Sequence, residues 1–560
     1  MAAWRSNRNP MFRSKFSEDI FDHKYAHEGS MTWADLAHTL VEDVCSDHMS
    51  EGDREELTQA IENLKLIPGG RYLYYAGRDK KFFNNCYLLK AEEDTREDWS
   101  NLSWKAESCL MTGGGIGVDY SIYRGSGSRL TSTGGVASGP IPAMQKINEI
   151  GRRVMQGGSR RSAIYASLNW QHPDIHEFLS VKDWNAINVA GTDKSLGDLK
   201  QADFNFPCPL DYTNISVNYD TEWLHNLWTD NGTDAIFKEN VAQACRTGEP
   251  GFSFNFWDRE QETLRNACCE ITSDSDSDVC NLASLNLGRI DSIEELKTIV
   301  DLAIKFLMCG TLKAKLPYEK VYEVREASRR LGLGMMGIHE WLVKRGESYE
   351  VTPELHRWLN VYRGVSDHTS KVYADALGIS RPVANRAIAP TGSIGILAGT
   401  STGIEPIFAV AYKRRYLKGS RWHYQYVVDS AAQELIDLYG VSPDKIESAL
   451  DLAADYERRM KFQFDIQSYV DMGISSTINL PAWGSKLNNP DTIDKFGETL
   501  ASYAHGLRGF TVYPDGCRGG QPLVPVSYKD AVKNLGEEFT EAVETHDICD
   551  ITNHGGSCGV

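Results

Sequence analysis

Thiol, carboxylate and amide groups come together in one short segment, Asn266-Ala267-Cys268-Cys269-Glu270. If this segment forms a tight loop, the side chains of Cys268 and Glu270 face one cavity, because they stand two positions apart. Glu270 could then act as a general base toward a hydroxyl group, and Asn266 could hydrogen-bond the same hydroxyl. On these five residues alone, the alternative is a packed cysteine beside a surface glutamate.

Composition limits the class of ligand and partner. The chain of 560 residues carries a formal net charge of -18, which disfavours a broad surface for nucleic acid and leaves small anions as expected ligands. The sequence contains no run of about 18 apolar residues, so we expect a cytoplasmic protein that does not enter a membrane. The 12 cysteines form no CxxC pairs or Cys/His clusters, so we expect no metal in this chain.

The pattern of apolar residues divides the chain into three regions. Residues 1–70 show helical periodicity, as in WADLAHTLVEDV, and end at Pro68-Gly69-Gly70. Residues 71–525 alternate short β-rich runs, such as GIGVDYSI and GFTVY, with helical stretches, which predicts one large α/β domain. Residues 526–560 are polar and end in a glycine-rich segment, so we predict a flexible tail.

Several motifs, in the same order, resemble those of ribonucleotide reductases. The central segment is similar to the family's N-P-C-G-E sequence, with Ala267 in place of the proline and Cys269 in place of the glycine. Cys280 opens a C-N-L-x-S-x-N-L segment, and a GEPG segment occupies 248–251. Further matches are GGGIGVDYS at 113–121, GGVASGP at 134–140, QGGSRRSA at 156–163, HPDI at 172–175 and APTGSIGILAGTSTGIEPIF at 389–408.

The resemblance implies a ten-stranded α/β barrel, preceded by the small helical region, with a central finger loop that carries a radical cysteine. Cys268 then corresponds to the thiyl radical that abstracts the ribose 3′-hydrogen, and Glu270 to the base for the 3′-hydroxyl. Asn266 corresponds to the residue that hydrogen-bonds the ribose hydroxyls. The adjacent Cys269 is a second candidate for the radical, although side-chain direction favours the position two before Glu270. The implied activity is reduction of ribonucleoside diphosphates or triphosphates to deoxyribonucleotides for DNA synthesis.

This reduction needs two electrons, which a dithiol supplies when it is oxidised to a disulfide. By the same resemblance, Cys86 and Cys280 form the dithiol. The tail cysteines Cys549 and Cys558 resemble the mobile pair that re-reduces this disulfide by thiol exchange and passes the oxidation to thioredoxin or glutaredoxin. Cys517 is a competing partner for that exchange.

Two further segments resemble nucleotide sites. Ala389-Pro390-Thr391-Gly392-Ser393 places backbone N–H groups and two hydroxyls in a turn, and in the family this segment binds the substrate phosphates. Arg124 and Arg129 lie in a segment that, together with residues around 190–213, resembles the loops that sense a deoxynucleoside triphosphate effector. The resemblance implies a homodimer. Because fewer than about 70 residues precede the predicted barrel, we expect a compact form without the N-terminal ATP cone and its dATP off-switch. The alternative for the two arginines is a solvated loop face.

The radical source divides the family, and the sequence lies between its class I and class II branches. Class I uses a metal-containing small subunit, and class II uses adenosylcobalamin. Tyr513 stands alone where subunit-dependent enzymes have two adjacent tyrosines, which resembles the cobalamin branch. The short GGSC ending resembles the subunit-dependent branch. We favour a separate small subunit, with Tyr513 as a candidate radical relay.

Two other functions compete with the reductase. A glycyl-radical enzyme of the related barrel class would carry a C-terminal segment resembling RVxGY, which the sequence lacks. A noncatalytic nucleotide-binding regulator would not need the cysteines and Glu270 together.

Overall fold

Helices form the first part of the chain, as the periodicity predicts. The computed structural model describes residues 8–27, 29–131, 134–154, 162–203, 206–229, 234–418, 421–517, 523–535 and 538–542. The first helix begins after Ser14, whose side chain caps the Ser17 backbone, and the second begins with a capping box between Thr32 and Asp35. The elements are α1 (Lys15–Lys24), α2 (Trp33–Cys45), α3 (Glu51–Glu62), β1 (Leu66–Pro68) and α4 (Gly70–Tyr75).

A first half-sheet of five parallel strands follows, with strands in sequence order. Its strands are β2 (Cys86–Lys90), β3 (Gly115–Asp119), β4 (Ile164–Asn169), β5 (Thr213–Tyr219) and β6 (Gly251–Phe254). The helices in this part are α5 (Arg96–Met111), α6 (Pro140–Arg153), α7 (Ile175–Ser180), α8 (Leu196–Ala202), α9 (Thr221–Thr229) and α10 (Ala235–Thr247). Because parallel strands need crossover connections, this alternation of strand and helix is the expected sequence order.

A second parallel half-sheet contains β9 (Asp278–Asn286), β10 (Leu331–Met336), β13 (Thr477–Leu480) and β14 (Gly509–Pro514). The chain at 386–388 completes it: Arg386 bridges Leu333 of β10, and Ile388 bridges Ile474 just before β13. The helices here are α11 (Ile293–Lys313), α12 (Glu319–Ser328), α13 (Ile338–Lys344), α14 (Pro353–Leu377), α15 (Gly392–Ala398), α16 (Ser430–Tyr439), α17 (Tyr456–Gln467) and α18 (Ile493–Ala504).

The two half-sheets join into a closed barrel. β2 pairs with β9, and β6 pairs with β14, both antiparallel. The closed ring contains the five strands of the first half-sheet and, from the second, β9, β10, the segment at 386–388, β13 and β14. This arrangement confirms the predicted ten-stranded α/β barrel. Because the half-sheets run in opposite directions, the carboxyl ends of their strands lie at opposite ends of the barrel.

The N-terminal helices pack against the second half of the barrel. Buried side chains of α1 to α4, such as Phe21, Trp33 and Leu40, share one apolar cluster with α11, α13 and α14. β1 also pairs antiparallel with β9. The predicted helical region is therefore joined to the barrel by a continuous core.

A smaller sheet lies outside the barrel and includes part of the predicted tail. Its strand order is β15-β11-β12-β16, formed by β11 (Ala411–Lys418), β12 (Arg421–Val428), β15 (Leu523–Pro525) and β16 (Glu538–Ala542), with helix α19 (Tyr528–Lys533) between the last two strands. Within the predicted flexible tail, residues 528–533 form α19 and residues 538–542 form β16, because the β12 edge of the hairpin is open for pairing. In the described ranges, every helix is too short or too polar to cross a membrane.

Candidate active site

The segment with the candidate catalytic residues forms a loop inside the barrel. Two short strands, β7 (Leu264–Arg265) and β8 (Thr272–Ser273), pair antiparallel and present residues 266–271 at the tip. At this tip the side chains of Asn266 and Glu270 are 0% and 1% exposed. The backbone carbonyl of Ala267 accepts a hydrogen bond from Asn214 of β5 (3.1 Å), and that of Glu270 from the Gly473 backbone (2.7 Å). The predicted finger loop is therefore held by both halves of the barrel.

Glycines in the barrel wall leave room for this loop. A Cβ atom on Gly117 of β3 would lie 1.5 Å from the Arg265 carbonyl oxygen, and one on Gly473 would lie 2.5 Å from that of Cys269. A side chain at either position would therefore displace the loop. Sequence reasoning did not assign these glycines a role, although a glycine inside a strand is a signal of close backbone approach.

Buried charge anchors the base of the loop. Arg265 is 1% exposed, and its Nη2 donates to Asn255 Oδ1 (2.5 Å). Nearby, Arg508 Nη2 donates to Glu262 Oε2 (2.7 Å). Although burial opposes it, Arg508 and Arg330 lower the pKa of Glu262 to about 2. Sequence reasoning missed these residues, because scattered charges carry no motif.

Asn266 joins the loop to Cys86, one of the two cysteines predicted to form the reductant pair. Cys86 on β2 and Cys280 on β9 stand directly opposite each other in the antiparallel ladder. Opposite residues in such a ladder have Cα atoms about 4.5–5.5 Å apart, within the range of about 4.4–6.8 Å for disulfides. Asn266 Nδ2 donates to Cys86 Sγ (3.1 Å), and Asn266 Oδ1 accepts from the Ile271 backbone (3.0 Å). Both cysteines are buried and are not joined by a disulfide in the structure.

Glu270 has the electrostatics of a general base. Burial raises the pKa of its carboxyl group to about 7, opposed by a hydrogen bond from Asn266. Its Oε2 atom is buried and has no hydrogen-bond partner among the described residues. The Glu270 charge also acts on Cys280, whose burial raises its pKa well above the usual thiol value. Glu270 is thus an acceptor next to the reductant pair, and it changes its charge near neutral pH.

The two adjacent cysteines at the tip differ in their surroundings. Cys269 has a φ of 67°, the left-handed conformation that favours glycine, which accounts physically for the family's glycine at this position. It lies against Gly509 of β14, where an added Cβ would be 3.7 Å from that of Cys269. Desolvation raises the pKa of Cys269 to about 12, and its neighbours include Arg265 and Ser216. Cys268 and Cys269 are both half-buried at the tip, so the difference between them lies in backbone conformation and contacts and not in exposure.

Tyr513 and the predicted phosphate segment lie at one end of the barrel. Gly509, Thr511 and Tyr513 alternate with Phe510 and Val512, which enter the apolar core between sheet and helices, so the first three face the barrel interior. Tyr513 is about 13 Å along β14 from Gly509, at about 3.3 Å per residue. Thr391 is the residue just before α15 and has a φ of 54°, and its Oγ1 accepts a hydrogen bond from the Gly403 backbone (2.8 Å).

The predicted effector arginines lie far from this segment. Arg124 and Arg129 belong to the loop at the carboxyl end of β3, whereas 389–393 follows a strand of the opposite half-sheet. Arg124 is paired with Asp94 through its Nε atom (2.5 Å), and Arg129 is exposed. Cys549 and Cys558 lie outside the described residues. Cys517 is half-buried, with its Sγ 3.6 Å from a Cβ built on Gly248.

Comparison with known proteins matches this architecture. A family model described as "Ribonucleotide reductase, barrel domain" matches residues 84–202, 232–358 and 381–513, which is more than half of the chain. The chain belongs to the ribonucleotide reductase family. It is a catalytic subunit of this family and an oxidoreductase, as the motifs predict.

Two relatives and one solved structure illustrate the similarity. A vitamin B12-dependent ribonucleoside-diphosphate reductase of Mycobacterium tuberculosis (strain CDC 1551 / Oshkosh) is 26% identical over 552 residues, covering 87% of this chain and 75% of the relative. One from Thermoplasma acidophilum is 27% identical over 523 residues, covering 83% of this chain and 65% of the relative. The class Id ribonucleotide reductase alpha subunit of Actinobacillus ureae superposes with a TM-score of 0.69 at 15% identity, covering 90% of this chain and 97% of that one. At that identity the superposition supports the fold.

Proposed function

We propose that this ribonucleotide reductase uses Cys268 as the radical thiol, Glu270 as the base, and Cys86 with Cys280 as the reductant. The observation that carries the proposal is the position of Asn266, which bonds Cys86 while its loop presents Cys268 and Glu270 in the same interior. Cys269 is the weaker radical candidate, because its contacts lie with Gly509 on the wall of the barrel.

The proposed reaction balances in atoms and electrons. The sulfur radical of Cys268 takes the 3′-hydrogen atom of the ribose, which leaves a radical at C3′. Glu270 takes the proton of the 3′-hydroxyl, and the 2′-hydroxyl leaves as water after it receives a proton from the thiol pair. The second thiol of the pair gives a hydrogen atom to C2′, and Cys86 and Cys280, which supply two electrons in all, become a disulfide. The second of these electrons, with the proton held by Glu270, restores the 3′-hydroxyl and the radical at C3′. Cys268 then returns its hydrogen atom to C3′, which regenerates the radical.

Substrate binding follows from the same assignment. We propose that 389–393 binds the substrate phosphates, since Thr391 and Ser393 offer hydroxyls and the turn offers backbone N–H groups. Asn266 would hydrogen-bond the ribose hydroxyls beside Cys86.

For the radical source, we propose adenosylcobalamin as the first candidate. The relatives of M. tuberculosis and T. acidophilum are named as B12-dependent, and Tyr513 stands alone in this chain. When bound, adenosylcobalamin supplies a carbon-centred radical that can take a hydrogen atom from a thiol. Cys268 at the tip of the loop fits that role, because part of its surface is accessible, as is part of the adjacent Cys269, whereas Cys86 and Cys280 are buried.

The small subunit favoured from the sequence remains a second candidate, supported by a groove on the outside of the barrel. The groove lies between α9, α10 and α18, and its lining includes Leu227, Phe237, Val241, Ile493 and Ala501. Phe237 and Val241 share an apolar cluster with Val512 of β14, the strand that carries Tyr513. A partner docked in this groove would face the back of the strand that carries the candidate relay.

One assay tests the function and separates the sources. Purified chain is incubated with dithiothreitol and mixed ribonucleotides, with and without adenosylcobalamin, and deoxynucleotides are measured. Product that requires adenosylcobalamin supports the first candidate. Product only after a metal-containing subunit is added supports the second, and Cys268→Ser must abolish product in either case.

The regulation of the enzyme and the re-reduction of its disulfide are proposed on the resemblance to the family. We propose a homodimer with a deoxynucleoside triphosphate effector near Arg124 and Arg129, and re-reduction by thioredoxin or glutaredoxin through Cys549 and Cys558. We also propose the division at residues 70 and 525 and a cytoplasmic location. Effector binding that survives Arg124→Ala and Arg129→Ala would count against the effector assignment.

A further inference from the structure

Helix α1 of the N-terminal region lies along α15, the helix that follows the proposed phosphate turn. Ser17 Oγ donates to the Ile396 carbonyl (2.8 Å), and Arg13 Nη1 donates to the Gly399 carbonyl (2.8 Å). These bonds join Ser17 on α1 to the second half of α15, and Arg13, just before α1, to the residue that follows α15. The two elements are separated by more than 350 residues in the sequence, so no local pattern predicts this contact.

Buried charge fixes the start of α1. The Arg13 guanidinium makes two hydrogen bonds to Glu340, Nη1 to Oε2 (3.0 Å) and Nη2 to Oε1 (2.9 Å). Glu340 is fully buried and also accepts from Thr400 Oγ1 (2.6 Å), just beyond α15. Breaking such a buried pair is strongly destabilising, so α1 holds a defined position against α15.

This position brings a cation to the phosphate turn. Lys24 is the last residue of α1, and its Nζ lies 3.3 Å from Ser393 Oγ. A phosphate oxygen that accepts a hydrogen bond of about 2.7 Å from Ser393 Oγ would lie within about 6 Å of Nζ. The flexible four-carbon stem of lysine can close the remaining distance.

The turn itself lacks a positive side chain. Its backbone N–H groups and the hydroxyls of Thr391 and Ser393 can donate hydrogen bonds but cannot neutralise a nucleotide that carries two or more negative charges on its phosphates. An ammonium group at hydrogen-bond range would supply that charge, and lysine is a common phosphate ligand in proteins.

We propose that Lys24 is a further substrate-binding residue, whose ammonium group binds the phosphate of a ribonucleotide held at 389–393. The proposal rests on the proposed function of that turn. It makes the N-terminal helices part of the active site, because α1 contributes a ligand and the Arg13–Glu340 pair positions it. The residue determines affinity for the charged part of the substrate and leaves the radical chemistry to the finger loop.

Equilibrium binding to the full chain tests this without a radical source. We would measure Kd for CDP and for cytidine, which lacks phosphate, with the unmodified chain and with Lys24→Met, Lys24→Arg and Lys15→Met. Lys15 is the matched control, because it lies on the same helix, is 72% exposed and pairs with Asp19. We expect Lys24→Met to weaken CDP binding about tenfold or more, the effect of losing one charge-assisted hydrogen bond. Lys24→Arg should recover most of the affinity, and Lys15→Met should match the unmodified chain.

A further variant separates this proposal from the one on which it rests. If Ser393→Ala weakens CDP binding while Lys24→Met leaves Kd within twofold, the turn binds phosphate and the role of Lys24 is wrong. If neither variant changes Kd, the phosphate site itself is wrong. Equal loss of CDP and cytidine binding in Lys24→Met would show an effect on the fold and would also overturn the proposal.

Discussion

Removing the Asn266 side chain should move the pH dependence of the reductase upward. Glu270 must be ionised to act as a base, so kcat/KM should rise with pH through the pKa of Glu270, which burial raises to about 7. The hydrogen bond from Asn266 stabilises the ionised form and lowers that pKa. Without it, the carboxyl group should hold its proton to higher pH.

The size of the shift follows from the strength of the lost bond. A hydrogen bond to a charged group contributes about 1.5–3 kcal/mol, and one pKa unit corresponds to about 1.4 kcal/mol. Asn266→Ala should therefore raise the midpoint of the acid limb by about one to two units, from about 7 in the unmodified chain. The maximum rate should also fall, because Asn266 is the proposed ligand of the ribose hydroxyls.

The assay is kcat/KM for deoxynucleotide formation by the unmodified chain, Asn266→Ala and Asn84→Ala, over a range of about pH 5.5 to about pH 9.5, which covers both expected midpoints. Asn84 is a matched control, because it is also a buried asparagine and donates to the Cys280 carbonyl (3.3 Å). Its removal should leave the midpoint unchanged. The reasoning is refuted if Asn266→Ala lowers the rate without moving the midpoint, or if Glu270→Gln keeps the acid limb.

Three further predictions concern the finger loop and the thiols. Cys268→Ser should abolish deoxynucleotide formation, whereas Cys269→Gly should keep it. Cys269→Gly should also raise the free energy of unfolding by about 1 kcal/mol, because glycine adopts the left-handed conformation at this position without strain. Loss of activity in Cys269→Gly but not in Cys268→Ser would assign the radical to Cys269. Gly117→Ala should lower both activity and the melting temperature, because its Cβ would lie 1.5 Å from a loop carbonyl, and an unchanged melting temperature would contradict the close packing. After one turnover without external reductant, mass spectrometry should find Cys86 and Cys280 joined by a disulfide, and two free thiols would count against their role.

The sequence was sufficient to predict the architecture, because the signals for this fold are local patterns and short motifs. Alternating strand and helix patterns indicate an α/β fold, and the order of motifs identifies the barrel and its loop. Closure of the barrel could not be predicted from the sequence. The strand at 386–388 is too short for a periodicity signal, and its bridges to Leu333 and Ile474 form only in the folded chain.

The types of residue in the site could be predicted from the sequence, whereas the residues that hold them in position were harder to predict. Asn266, Glu270 and the cysteines stand in recognisable segments, and the structure brings Asn266 within hydrogen-bond distance of Cys86. Arg265 and Lys24 stand in no such segment, since their roles depend on burial and on contacts between distant parts of the chain. Charged residues at isolated positions are ordinarily predicted to lie on the surface, and only the three-dimensional packing shows which of them are buried or contact a site.

Enclosure of the finger loop also constrains how the chain can fold. The loop lies between the two half-sheets in the sequence, while the ring closes only when β6 pairs with β14 through Phe252 and Phe510. A loop that fills the interior cannot enter after closure, so the half-sheets must assemble around it. The closing pair joins residues about 260 positions apart, and contacts of such long sequence separation form slowly. We therefore expect β14 to pair with β6 late in folding, after both half-sheets have packed against the loop.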